Sequence, residues 1–234
     1  MATTVQSDVL VIGGGLAGLV TALECLQAGQ RVTLVDRDTR DRLGGLALWA
    51  FGGMALVDTP LQRRMKLKDS PEIALRDWIR FGELGEHDVL PLQWARYYVQ
   101  HSRAEVYDWL IANGLKFMPA VNWVERGMQG DGNTLPRYHV VWGTSRQLTR
   151  RMIELMLAAD KGGRLTLLSG HRVTALDSAA GMRANDENQL AVNLSNKSFR
   201  RDWKLPEKVR LNGTIMPYAP CFDAKVAARS ITQA

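Results

Sequence analysis

Cysteine is almost absent from the chain: among 234 residues only Cys25 and Cys221 carry a thiol, and they sit in no CxxC pair. That spacing supports neither a disulfide framework nor a thiolate metal site. Cys25 lies in an apolar helical stretch and reads as a buried structural thiol. Histidine is also scarce. His87, His101, His139 and His171 show no HxxxH spacing, so no metal site is expected. No apolar run approaches the roughly 20 residues of a membrane span, and the leader before Val9 has no Lys or Arg. The expected setting is therefore soluble, reducing and cytoplasmic. Neither charge sign dominates: 30 basic against 24 acidic side chains give a net +6. Such a mixed surface argues against a nucleic-acid partner, and the sparse basic cluster Arg200, Arg201, Lys204, Lys208 and Arg210 reads as a solvated face. Internal repeats and low-complexity tracts are missing as well.

What the chain does have is glycine, concentrated toward its front. Asp8 to Ile12 is a short β-branched run ending at Gly13, Gly14 and Gly15. From Leu16 to Ala28 apolar residues recur at helical spacing until Gly29, and Arg31 to Val35 is a second strand closed by Asp36. Strand, helix and strand at this length make one right-handed βαβ unit with parallel strands, an α/β fold. Gly13, Gly15 and Gly18 fall where a dinucleotide-binding turn needs them. The first permits the sharp turn, the second admits a pyrophosphate, and the third lets helix and strand pack closely. The turn Gly13, Gly14, Gly15, Leu16, Ala17 and Gly18 is thus the candidate phosphate cradle, and small Ala22 keeps the helix against the sheet. Asp36, followed by Arg37, is placed to accept hydrogen bonds from an adenosine ribose, and its charge disfavours a 2′-phosphate.

Beyond Asp36 comes a glycine-rich, apolar segment with pairs at Gly44-Gly45 and Gly52-Gly53, read as a loop pressed against a ligand. Ser70 and Pro71 open a helix to about Phe81, and a longer helix runs from about Leu92 to Ala112, stopped by Asn113 and Gly114. Trp94, Tyr97 and Tyr98 read as its core face. Short strands are expected at Leu115 to Met118, Val121 to Arg126 and Arg137 to Trp142, the last two joined by a turn around Gly130 to Asn133. A helix from about Arg146 to Ala159 and strands at Leu165 to Leu168 and Arg172 to Leu176 follow. After Ala180 only Gly181 and Gly213 remain of the 21 glycines, and the tail is expected to be divergent or poorly ordered. The expected division is a dinucleotide-binding domain over residues 1–180, interrupted by an inserted helical and β segment at about 60–145, with 181–234 as the tail.

The two Gly-Gly pairs, Lys68-Asp69-Ser70, Trp123 to Gly127 and Arg137 to Thr144 together resemble the fumarate reductase, succinate dehydrogenase and 3-ketosteroid dehydrogenase group of FAD flavoproteins. The likeness runs from Asp8 to Ala180. It implies a Rossmann-like FAD-binding domain with a parallel sheet, incomplete, plus inserted helices and short strands. It also implies noncovalent FAD, with Gly13, Gly15 and Gly18 at the pyrophosphate, Asp36 at the ribose and Gly44 and Gly45 near the phosphate and ribityl region. Gly52 and Gly53 would lie against the isoalloxazine ring, and Val173, in His171 to Leu176, would clamp adenine through its backbone. Leu46 and Ala47 depart from the Ser or Thr of many relatives. The resemblance implies an oxidoreductase acting on a carbon–carbon bond next to a carbonyl, with a small-molecule substrate that is steroid-like or dicarboxylate-like. After Ala180 no Gly-Gly pair or capping segment is found, so a partial chain with no assignable catalytic residue is expected. The alternative is a nucleotide-binding remnant without turnover. His139 has two readings, a donor beside flavin and substrate or a satisfied residue packed on a strand.

Overall fold

The run after Asp8 forms strand β1 (Val9–Ile12), the first of three parallel strands in a computed structural model that describes residues 5–123, 132–178 and 190–195. It pairs with β2 (Val32–Asp36), and β2 in turn pairs with β5 (Leu165–Ser169), giving the order β1-β2-β5. Between the first two strands runs α1 (Leu16–Gln27), which buries Leu16, Leu19, Ala22, Leu23, Cys25 and Leu26. Leu19 and Leu23 are fully buried, each contributing about 1.5–3 kcal/mol of transfer free energy. Ala22 is equally sealed, which is why a small side chain is needed there. Burial also pushes the Cys25 thiol above its ordinary value, with the nearby charge of Glu24 adding to the shift.

Strand β2 is buried along Val32, Thr33, Leu34 and Val35, as a parallel strand covered on both faces should be. Thr33 sits in register between Leu10 and Thr166, and among the described residues its Oγ1 has no hydrogen-bond partner. A buried hydroxyl without a partner is costly, and valine has the same shape. Thr33→Val should therefore stabilise the protein by about 1 kcal/mol. Urea denaturation checks this, and a lower midpoint would mean that the hydroxyl is satisfied.

The chain divides into two compact units, one of residues 1–48 with 149–234 and the other Trp49–Leu148. Helix α6 (Thr144–Ala159) runs across the boundary at Leu148 and ends before β5, and in the first unit β6 (Arg172–Ser178) forms an antiparallel hairpin with β7 (Leu190–Ser195). Strand β7 lies in the segment expected to be divergent or poorly ordered. Cys221, the basic cluster of residues 200–210 and the far end of the Val121 to Arg126 segment lie outside the described residues.

In the second unit β3 (Gly53–Ala55) pairs antiparallel with β4 (Tyr138–Val140). Helix α2 (Pro60–Arg64) starts at a capping box in which Thr59 accepts the Gln62 N–H. Ser70 caps α3 (Pro71–Phe81) by accepting the Ile73 N–H at 3.3 Å. Helix α4 (Val89–His101) continues through a π-helical stretch, Ser102–Asp108, into α5 (Trp109–Ala112), so the long helix exists but is widened near its end. It closes at Asn113, with Gly114 in the left-handed region. Its fully buried contacts are Ala95, Val99, Val106 and Leu110, while Trp94, Tyr97 and Tyr98 are only half-buried. The strands expected at Leu115 to Met118 and from Val121 are reduced to single bridges, Phe117 to Val141 and Asn122 to Tyr138. Among the described residues each segment forms one bridge to the β4 region, with Met118 N–H to the Val140 carbonyl and Trp142 N–H to the Lys116 carbonyl flanking the first.

Candidate functional site

The glycine turn after β1 is built as its residue types require. Gly13 has φ +101°, a backbone conformation that side-chain-bearing residues rarely adopt, and its N–H donates to the Val35 carbonyl at 2.8 Å. A Cβ at Gly18 would run into the Gly13 carbonyl, so the third glycine is demanded by packing of the helix start on the turn. Gly15 is different. It caps α1 with φ −69° and ψ 178°, and a Cβ placed on it meets no protein atom within 4 Å. Nothing in the protein needs the missing side chain, whereas a group brought onto the turn from outside does.

Behind Gly15 the first intrahelical bond of α1 is Leu19 N–H to the Gly15 carbonyl, at 2.9 Å. The amides of Leu16, Ala17 and Gly18 precede it and have no partner within the helix, so they sit at the positive end of its dipole. No acidic side chain lies in that first turn. Open space over a glycine beside helix-terminal amides fits an anion such as a pyrophosphate.

Asp36, at the end of β2, is fixed by two backbone donors. The Gly14 N–H donates to Oδ2, and the Asp38 N–H donates to Oδ1 at 2.7 Å. Gly14 is therefore committed to orienting the carboxylate, and a Cβ there would collide with Leu43. The remaining lone pairs of Asp36 are available to hydroxyl donors. Arg37, the next residue, is exposed.

The Gly44-Gly45 pair lies against this turn. Gly44 N–H donates to the Gly14 carbonyl at 2.8 Å, Gly15 and Gly44 form a parallel bridge, and a Cβ on Gly45 would approach the Gly15 Cα to 3.7 Å. The entry to β6 lies there too, since Gly170 N–H donates to the Asp38 carbonyl and His171 N–H to the Asp36 carbonyl. Val173 follows in β6 opposite Leu194, with an irregularity in the ladder before Ala175. The first unit thus brings together Gly13 to Gly18, Asp36, Gly44, Gly45 and the start of β6.

Gly52 and Gly53 belong to the second unit, and protein packing alone requires both. A Cβ on Gly52, at φ +81°, would lie 2.5 Å from the Ser145 amide nitrogen, and one on Gly53 would enter the Tyr138 ring. Beside them Trp49, Phe51 and Trp142 are 74%, 64% and 59% exposed, a concentration of bare aromatic surface around one strand edge.

His139 is a satisfied core residue. It is fully buried, its Nδ1–H donates to the Arg137 carbonyl at 2.7 Å, and its Nε2 accepts from Thr59 Oγ1 at 2.7 Å. Burial pushes its pKa below the usual imidazole value, against smaller raising effects from the Arg137 carbonyl and Asp69. A histidine depressed in the folded state contributes stability above its unfolded value near 6.5, lost as pH falls toward the folded value. Stability should accordingly fall as pH drops below about 6.5, and His139→Phe should flatten that slope. Urea titrations at stepped pH check this; an unchanged slope in the variant would acquit His139.

Around His139 lies a polar cluster that its residues do not announce in the sequence. Arg137, 2% exposed, donates from Nε to Asp69 at 2.9 Å, from one terminal nitrogen to Asp69 at 2.8 Å and from the other to Asp77 at 2.6 Å. Gln62 Nε2 donates to Asp69 at 2.9 Å and to the Pro136 carbonyl at 2.9 Å. Asp77 also accepts from the Thr134 amide and hydroxyl, each at 2.9 Å. Burial works against ionisation of Asp77, but the Thr134 amide, Arg137 and the Thr134 hydroxyl together hold its carboxyl below the usual range.

A sequence profile described as FAD binding domain matches residues 8–199, past the Ala180 at which the likeness was expected to end. The chain is 46% identical over 146 residues to a KsdD-like steroid dehydrogenase of Mycobacterium tuberculosis, covering 61% of this chain and 26% of that protein. It is 40% identical over 186 residues to a KsdD-like steroid dehydrogenase of Mycolicibacterium smegmatis, covering 76% and 33%. Among solved structures, 3-ketosteroid-delta4-(5alpha)-dehydrogenase from Rhodococcus jostii superposes with a TM-score of 0.60 at 20% identity, over 81% of this chain and 44% of the other. The open conformation of a flavocytochrome c3 fumarate reductase gives 0.55 at 23% identity, over 75% and 28%. At these identities the superpositions speak for the fold. The chain spans about a quarter to a third of the length of the curated relatives it matches.

Proposed function

The chain belongs to the FAD binding domain family, and on that premise we propose that its glycine turn holds the FAD pyrophosphate in a dehydrogenase acting on a steroid-like substrate. The open space at Gly15 carries the reading, because it is the one glycine of the turn whose bareness the protein itself does not explain. In this assignment the Leu16, Ala17 and Gly18 amides face the pyrophosphate, and Asp36, oriented by Gly14 and Asp38, takes the ribose hydroxyls. Arg37 borders the same pocket, Gly44 and Gly45 line the phosphate and ribityl stretch, and the β6 backbone at Val173 meets adenine.

In the second unit the Gly52-Gly53 edge, with bare Phe51 and Trp142 beside it, is assigned to the isoalloxazine ring. The steroid-like substrate is supported by the two relatives named as steroid dehydrogenases, at 46% and 40% identity. Bound FAD supplies two-electron redox chemistry, by the family resemblance at a carbon–carbon bond next to a carbonyl, while the chain supplies orientation and electrostatics. His139 is not the acid or base in this reading, since both ring nitrogens are occupied within the core.

The test is the visible absorption spectrum of the purified protein, with mass analysis of cofactor released on denaturation, followed by assay with a 3-ketosteroid and an artificial electron acceptor. Released FAD with turnover is the expected result. FAD without turnover would remove the dehydrogenase assignment and leave a binding module, and a folded protein that takes up no added FAD would sink the reading as a whole.

A further inference from the structure

Among the described residues of the second unit the Arg137 cluster is a densely bonded polar site, and its one link to the surface is exposed Arg80, which donates to Asp77 at 3.4 Å. Buried ion pairs of this kind seldom add stability over apolar packing, and their better-attested role is to select one geometry. What this one selects can be followed along the backbone. The Arg137 carbonyl accepts the Leu56 N–H at 3.0 Å and the His139 Nδ1–H at 2.7 Å. The next residue, Tyr138, lays its ring over Gly53, and Tyr138 and Asn122 exchange backbone hydrogen bonds of 2.8 and 2.9 Å. Where β4 ends, Val141 N–H donates to the Gly52 carbonyl at 3.0 Å. The guanidinium is thus the root of the strand that holds the Gly52-Gly53 edge, with Asp69 just before α3 and Asp77 within it as the fixed points.

We propose that the Asp69–Arg137–Asp77 cluster is the positioning device for the Gly52-Gly53 edge, and through it for the isoalloxazine ring; this rests on the assignment of that edge to the ring. Arg137 is a positioning residue that acts through β4 and touches neither cofactor nor substrate. Its planar fork bonds both carboxylates at once, which a lysine ammonium cannot reproduce.

Arg137→Lys and the milder Asp77→Asn test this, with Val99→Ala as control, since Val99 lies in the apolar cluster of Val57 and Ala74 in the same unit. In the protein without cofactor, amide hydrogen exchange at residues 52–56 and 138–141 should rise about tenfold in Arg137→Lys and less in Asp77→Asn, but not in Val99→Ala. In the FAD-loaded protein the two cluster variants should shift the visible flavin bands and weaken FAD binding about tenfold, a change of about 1.4 kcal/mol. Val99→Ala should leave the bands in place. Parental exchange and spectrum in a folded Arg137→Lys or Asp77→Asn protein would overturn the proposal, as would an equal band shift in Val99→Ala. If the parent protein itself takes up no FAD, the cofactor assignment fails, and the exchange measurement alone decides whether the cluster sets the ribbon.

Discussion

Gly15→Val lowers FAD affinity by at least about a hundredfold, equivalent to about 2.7 kcal/mol, while the protein stays folded. Both halves of this expectation come from the same geometry. The φ of −69° and ψ of 178° at Gly15 suit a β-branched residue, and no protein atom lies within 4 Å of the new Cβ. The cost to the fold is the poorer helix cap, about 1 kcal/mol or less. The cost to the ligand is direct, because the isopropyl group occupies the space that a pyrophosphate needs to reach the α1 amides. Calorimetric titration with FAD, paired with thermal denaturation, separates the two. Retained affinity in a folded variant removes the turn from the site. Gly18→Val is the instructive contrast, since its side chain would meet the Gly13 carbonyl, and loss of the fold is expected there.

Arg137→Met destabilises the second unit by about 3–5 kcal/mol, because it removes one partner and leaves the others buried. Asp69 and Asp77, each 8% exposed or less, would then lose their buried cation, and only the longer, half-exposed Arg80 contact at 3.4 Å would remain to Asp77. The pH dependence follows with a definite sign. Asp77 is depressed in the folded protein, so its contribution is present above its unfolded value near 4 and lost as pH falls toward the folded value. Without Arg137 that depression shrinks, so acid unfolding should begin at higher pH in the variant. Guanidinium denaturation at pH 7 and a pH titration of the far-ultraviolet signal check the two statements. A loss below 1 kcal/mol would mean that the carboxylates find protons or water in place of the arginine.

Where the sequence could be read, each residue had a local reason for its identity. Gly13 and Gly18 are demanded by the backbone of one tight turn, Ala22 by a fully buried helix face, and Ser70 with Pro71 by the first turn of α3. Such demands act within a few residues and leave a pattern of matching span. Strand β3 has no such span. It is three residues long and exists because β4, far along the chain, pairs with it. The π-helical stretch keeps helical composition and periodicity nearly intact, so widening of the helix at Ser102–Asp108 leaves no readable trace. Thr59, Gln62, Asp69, Asp77 and Arg137 are residue types that ordinarily face solvent. Only their pairing buries them, and pairing across long separations is not periodic. At Gly52 and Gly53 two demands coincide. Ser145 and Tyr138 leave no room for a side chain at either position, so bareness alone does not single out a ligand there as it does at Gly15.

Cys25 lies on the buried face of α1, with its thiol covered and its ionisation suppressed by burial. An alkylating reagent in solution can reach it only when the helix lifts from the sheet, so its labelling rate is a clock for opening of the nucleotide-binding unit. Peptide mass distinguishes this thiol from Cys221, and the ratio of its rate to that of an unfolded peptide gives the opening free energy directly. Any molecule that seats on the glycine turn must slow the clock in proportion to how fully it occupies the turn. Protection of one cysteine, read without colour or turnover, therefore ranks nucleotides by how well they fit.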